Sequence, residues 1–205
     1  MSIADIQNCM NKIKTNRQNY AAAVERIRAD KTLSEIGRAQ KISRTYNEAL
    51  ERHQSLVSEF NQAKADTRKV MAQDAFAPSV SSTMNRAEAQ AIRDSFTAAI
   101  QRADSIKEFK GLQRMIELAS VSGDKNTALA AAFIAYERGE YRALEKFGEL
   151  WPTDGKYIED LYHFDNAYGA KMDRDAQFTE RAQITGPTKP PEYMNAVPRE
   201  EEAAS

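Results

Sequence analysis

Few side chains in this sequence have the chemistry to act as catalysts or ligands. There are two histidines and one cysteine in 205 residues. A general base needs a hydroxyl or carboxylate partner inside a pocket. His53 lies instead in the apolar series Ile42, Tyr46, Ala49, Leu56 and Phe60, which reads as a packed seam between helices. His163 follows Glu159 by four residues, so the two share a helix face and supply half of a metal site. No second histidine lies near them, and the plainer reading is a solvated face. Cys9 has Met10 beside it and Lys12 nearby but no histidine within a turn, so nothing generates a thiolate and its base together. Asp173 with Asp175, and Glu200 to Glu202, are paired acids in weakly structured sequence, and such pairs act only where a fold fixes their separation. No phosphate-cradling glycine loop, nucleophile elbow or H-E-x-x-H helix is present. The expectation is a non-enzymatic protein with no catalytic residue, no cofactor and no metal.

The elements available to position any site are helices. Leu, Ile, Val and Phe number 36, while Ala alone numbers 32. So few large apolar side chains can line narrow seams but cannot cover a broad sheet. Ala, Glu, Lys, Arg and Leu together number 88, close to the share at which long helices become the default. The net charge of −1 argues against a disordered polyelectrolyte and against a global polycation for nucleic acid. No apolar run reaches the ~18 residues of a membrane span. The first residues, MSIADIQNCMNKIK, lack a basic region followed by an apolar core, so no secretory signal is expected. A single cysteine excludes an intramolecular disulfide framework and a multi-cysteine zinc site, and fits synthesis in a reducing cytoplasm.

The clearest periodicity is at the start. Ile3, Ile6, Met10, Ile13, Arg17, Tyr20, Val24 and Ile27 alternate by three and four, an a/d seam in all but one place. This predicts a helix over 3–29, roughly 40 Å long. Thr32 and Glu35 have capping-box spacing. A second helix follows on Ile36, Ala39, Ile42, Tyr46, Ala49, His53, Leu56, Phe60, Ala63, Thr67 and Val70, to about residue 74. A short turn between two long helices predicts an antiparallel, coiled-coil-like hairpin with its seam at Ile6, Met10, Ile13, Tyr20, Val24, Ile42, Tyr46, Leu56 and Phe60. Ile27 should meet Ile36. The second helix is the longer, so Ala63, Thr67, Val70 and Met71 have no partner within the hairpin and are expected to face other parts of the chain or a partner protein.

The predicted fold is all-α: a hairpin over 1–74, a linker over 75–85, a bundle of shorter helices over 86–172, and a weakly structured, proline-rich acidic tail over 173–205. Asn85 and Glu88 mark a helix start, and Ala89, Ile92, Phe96, Ala99, Ile100, Ala103, Ile106 and Phe109 trace its face. Further helices read at 112–121, 127–138, 140–150 and 157–170, with Gly139 as a left-handed stop and 151–155 as a turn. Residues 130–152 partly resemble a tetratricopeptide helix pair, but the small and aromatic positions are offset by one and no second copy exists, so a generic helical hairpin fits better. In the tail, Tyr193 and Met194 lie between prolines and are expected to order on a neighbour. Charge is graded: residues 1–74 carry net +4, 75–155 net −1 and 156–205 net −4. Arg17, Arg26, Arg28, Arg38, Lys41 and Arg44 gather towards the hairpin turn. They read as solvated coiled-coil charges first and as a phosphate-contacting tip second.

Residues 30–49, DKTLSEIGRAQKISRTYNEA, resemble a stretch of small helical proteins of actinobacterial tailed bacteriophages, encoded among head and assembly genes. Leu33, Ser34, Gly37, Arg38, Ile42 and Tyr46 carry the resemblance, which covers under a quarter of the chain. It implies a non-enzymatic structural or assembly protein of a phage particle, located in the virion or host cytoplasm. Its partners would be capsid, portal or tail components or further copies of itself. It implies no catalytic residue. The acidic C-terminal part differs from the basic coat-binding end of a typical scaffolding protein. The alternative is a cytoplasmic helical regulator or adaptor that binds protein or nucleic acid through the basic tip. No membrane partner is expected.

Overall fold

The three-and-four spacing is realised as helix along the chain. A computed structural model describes residues 2–81, 83–108, 110–169, 171–172 and 174–193. The helices are α1 (Ile3–Ala29), α2 (Glu35–Phe76), α3 (Arg86–Ser105), α4 (Gly111–Ser122), α5 (Lys125–Arg138), α6 (Tyr141–Leu150), α7 (Pro152–Tyr168) and α8 (Arg174–Gln183). Among the described residues there is no strand, and no helix is long and apolar enough to cross a membrane. The chain divides into two compact units, one of residues 1–67 with 168–205 and the other of 68–167. The expected division after residue 74 therefore falls earlier, inside α2. The last two turns of α2 put Ala75 and Phe76, expected in a linker, into a core with later helices.

In the first unit, α1 buries Ile6, Cys9, Ile13, Asn16, Tyr20, Val24 and Ile27. Cys9 and Asn16 thus take the places expected for Met10, which is half-buried, and Arg17. The reason is chemical as well as geometric. A straight helix drifts from a strict heptad, and Asn16 can satisfy itself in the seam by donating from Nδ2 to the Ala49 carbonyl at 2.9 Å. An arginine there would bury an unpaired charge. Lys12 meets Glu59 at 3.5 Å, and the Tyr20 and Tyr46 rings meet edge-on at 6.0 Å. Ile6, Ile13, Ile42, Leu56 and Phe60 are buried as expected.

The turn differs in detail from its prediction. Ser34, not Thr32, caps α2: its hydroxyl accepts from the Gly37 N–H at 3.1 Å. Thr32 donates its hydroxyl to Asp30 at 2.6 Å and closes the turn instead. Ile36 is exposed, and Leu33 packs against Tyr20, Val24, Ile27 and Ile42 in its place. Arg38 donates to the carbonyls of Asp30 and Leu33 at 3.1 and 3.3 Å, covering groups that a helix end leaves unpaired. In the expected tail, residues 174–183 form α8. Lys64 pairs with Glu180 across to it.

In the second unit, α3 starts with the capping box read from the sequence, Asn85 accepting from the Glu88 N–H and Glu88 from the Asn85 N–H, each at 3.0 Å. Asp124 caps α5 through the Thr127 N–H at 3.0 Å. Gly123 and Gly139 close α4 and α5 with φ of 69° and 71°, which a Cβ would strain. The expected turn at 151–155 is mostly helix. Pro152 opens α7, where its missing N–H costs nothing. α4, α5 and α6 pack together, with α3 against α5. The core holds Leu112, Ile116, Leu129, Tyr136, Phe147 and Leu161, with an alanine-rich α5 buried on several sides.

Candidate functional site

Of the residues expected to seek a partner, Ala63 and Thr67 are buried within the chain and Val70 is exposed. Met71 is half-buried against the core of the second unit. Ala63, Thr67 and Met71 of the overhang read as unpartnered are thus covered by the chain itself, and Val70 is not. Tyr193 packs edge-on against Tyr46 at 5.4 Å between ring centroids. Met194 and the acidic run Glu200–Glu202 lie outside the described residues, as do Phe109 and Asp173. Glu159 and His163 approach to 3.6 Å on an exposed face of α7. Among the described residues no group of three or more acidic, histidine or cysteine side chains could hold a metal ion. Cys9 is buried in the seam.

The strongest polar constellation was not anticipated. On α7, Asp165 follows Ile158, Leu161 and Phe164 on the buried face. Its two oxygens take a forked bond from Arg68, Nε to Oδ1 at 2.8 Å and Nη2 to Oδ2 at 3.0 Å. The Tyr136 hydroxyl donates to Oδ2 at 2.8 Å. Burial, then the bond to Asp165, push the Tyr136 hydroxyl far above the ordinary phenol range. The Arg68 guanidinium is held charged, chiefly by that same carboxylate. A charged residue on the apolar face of a helix was the available signal. Asp165 is buried and Arg68 partly exposed, so the group anchors α7 through a buried carboxylate whose charge is paired from its edge.

Between α6 and α7 a groove of about 730 Å³ is lined by Tyr141, Leu144, Ile158, Tyr162 and His163. Gly148 and Gly155 are among its lining residues and let the two backbones meet: a Cβ on Gly155 would stand 2.6 Å from the Gly148 Cα. Tyr141 and Tyr162 pack edge-on at its rim, ring centroids 5.6 Å apart.

The remaining candidate is the face of α1 and α2 beneath residues 184–193. Tyr20 donates its hydroxyl to the Thr188 carbonyl at 3.0 Å. Arg28 forks onto Glu192, Nε to Oε1 at 2.8 Å and Nη2 to Oε2 at 3.0 Å, and a third bond joins Arg28 to Glu25 at 2.8 Å. The guanidinium holds the Glu192 carboxyl below its ordinary range. Pro187 and Pro190 are buried. Lys189 lies over the Tyr193 ring at 4.4 Å. Gly186 rests on His53, where a Cβ would come within 2.9 Å of the imidazole ring. Burial draws the His53 imidazole below its ordinary value. His53 is therefore a floor for this segment rather than a purely interhelical residue.

These contacts also change the reading of the basic tip. Arg28 is consumed by carboxylates and Arg38 by carbonyls. Arg26 donates to Ala22 at 3.2 Å and Arg17 to Ala182 at 3.5 Å. Four of its six cations are thus engaged by the chain's own acceptors. Comparison of the chain with protein-family models, curated proteins and solved structures found no match.

Proposed function

We propose that this is a non-enzymatic structural or assembly protein of a bacteriophage particle that works through helix–helix contacts. In this reading α1 and α2 form a long antiparallel, coiled-coil-like hairpin, and the shorter helices present a docking face. The observation that carries it is the pair Leu118 and Val121, one turn apart on α4 and 61% and 88% exposed. Single exposed apolar side chains are ordinary, but two adjacent on one helix face favour a protein partner. The resemblance of residues 30–49 to phage head-region proteins supports the setting. Several of the residues that carry it close the turn between α1 and α2. Ser34 caps, Leu33 and Ile42 pack, and Arg38 covers carbonyls. Capsid, portal or tail proteins, or further copies of the chain, are the proposed partners, in the virion or the host cytoplasm.

The test is mass spectrometry of purified particles and light scattering of the isolated protein. The expected results are a stoichiometric particle component and association beyond the monomer. A Leu118→Lys, Val121→Asp variant should keep its helical circular dichroism and lose incorporation. A strictly monomeric protein absent from particles would overturn the reading. The alternative, a nucleic-acid regulator acting through the basic tip, predicts salt-dependent duplex binding, and the engagement of Arg17, Arg26, Arg28 and Arg38 within the chain weighs against it.

A further inference from the structure

We propose that the groove between α6 and α7 is a receptor for an arginine side chain of a partner protein, taken up by the Tyr141–Tyr162 corner and the carboxylates of Glu145 and Glu159. At about 730 Å³, with Leu144 and Ile158 among its walls, the groove has the size and lining of a ligand site. Its aromatic corner is fixed. The two tyrosine rings stand 5.6 Å apart with their planes at 82°, and His163 adds a third ring 6.1 Å from Tyr162. Tyr141 is 51% exposed. The hydrogen bond from its side chain to that of Tyr162 raises its hydroxyl above the ordinary phenol value. The corner therefore stays neutral and offers π faces, which attract cations.

The charges point the same way. Glu145 and Glu159 both line the groove, against one lysine, Lys156. Among the described residues no ion pair takes up Glu145, and Glu159 meets His163 at 3.6 Å. Aromatic faces and carboxylates select a cation, while Leu144 and Ile158 suit an alkyl stem. Arginine fits both better than lysine does. Its flat guanidinium stacks on rings, forks onto carboxylates and gives up water more readily than an ammonium. The position favours a protein as the source. Glu145 also lines the cleft between α4 and α6, together with Glu117, which directly precedes the exposed Leu118. The groove thus adjoins the face that carries the proposed function, and arginine is among the side chains that most often dominate an interface. This deepens the docking part of that reading and rests on it in taking the cation from a protein.

Titration of the nitrogen-labelled full chain, followed by NMR, tests it with three probes. These are acetyl-Leu-Arg-Leu-amide, the same peptide with citrulline as the neutral isostere of arginine, and acetylarginine amide. The arginine peptide should shift the backbone amides of Leu144, Gly148, Gly155 and Ile158 and saturate at roughly millimolar concentration. Salt should weaken it, and the citrulline peptide should bind at least about fivefold less tightly. Tyr141→Leu and Glu145→Gln should each weaken the arginine peptide by about two- to fivefold. Tyr141→Phe, which keeps the ring, should not. Lys156→Gln, which removes the competing cation, should strengthen it. Glu145 and Lys156 are exposed, so their variants read the groove without disturbing the fold. Shifts absent from the groove, citrulline binding equal to arginine, or Glu145→Gln and Lys156→Gln both without effect would overturn the site. Acetylarginine amide binding as tightly as the tripeptide would overturn a protein as the source of the cation. None of these results depends on particle entry or on Leu118 and Val121, so the proposed function stands or falls separately.

Discussion

Asp165 exposes 1% of its side chain, whereas its partner Arg68 exposes 41%, and this asymmetry decides what each contributes. If Arg68 is removed, a buried carboxylate is left with the Tyr136 hydroxyl as its partner among the described bonds. If the Asp165 charge is removed, Arg68 turns to water and an asparagine oxygen can still accept. Arg68→Met should therefore cost about 3–5 kcal/mol, and Asp165→Asn only about 1–2 kcal/mol, in urea unfolding. The reverse order would show that the pair is not buried as described. Tyr136 adds a pH dependence. Burial and its bond to Asp165 keep its proton on in the folded chain well above the ordinary value, while the unfolded chain releases it near pH 10. Stability from this group is thus complete below about pH 10 and declines as pH rises further. Tyr136→Phe should flatten that decline above about pH 10 in thermal melts. Some slope should persist, because burial also raises the Tyr20 hydroxyl.

At the scale of the helix, the contact of α6 with α7 makes a prediction of opposite signs. The Cβ of an alanine at 155 would stand 2.6 Å from the Gly148 backbone, which cannot rotate aside, whereas one at 148 would find Gly155 at 4.0 Å. Gly155→Ala should cost about 1–3 kcal/mol by overpacking, and Gly148→Ala should gain about 0.5–1 kcal/mol from helix propensity. Equal effects in chemical denaturation would mean that the helices do not meet there. Neither glycine stands out in the sequence, because close approach is a property of pairs of elements. What periodicity and capping chemistry can specify was legible: α1 starts at Ile3 and ends at Ala29, Asn85 opens α3, and Gly139 closes α5. Legibility failed where a polar residue could satisfy itself by a distant bond, as Asn16 does at Ala49 and Asp165 does at Arg68. It failed also at residues 184–193, whose prolines suggest a loose tail while their side chains find a seat on α1 and α2.

Among the described residues of the whole molecule, buried apolar side chains gather in both units, Tyr20, Val24, Ile27 and Ile42 in the first and Leu112, Leu129, Tyr136 and Phe147 in the second, with α2 contributing residues to both. Each unit has its own capped helices and its own buried side chains, so each has its own source of stability. A charge placed in the first core tests how far they are independent. Ile13 is 1% exposed, and Ile13→Asp would bury a carboxylate among apolar neighbours, a loss of about 3–5 kcal/mol. Hydrogen exchange followed by mass spectrometry should show α1 and the first half of α2 losing protection, together with residues 184–193, which rest on them. α4, α5 and α6 should exchange as in the wild type, because their amides close within the second unit. Equal loss of protection in both units would mean that the long second helix transmits the defect and that the chain unfolds as one cooperative body. An unchanged exchange pattern in α1 would mean that its seam is open to water and that the pairing of Asn16 with Ala49 does not hold it.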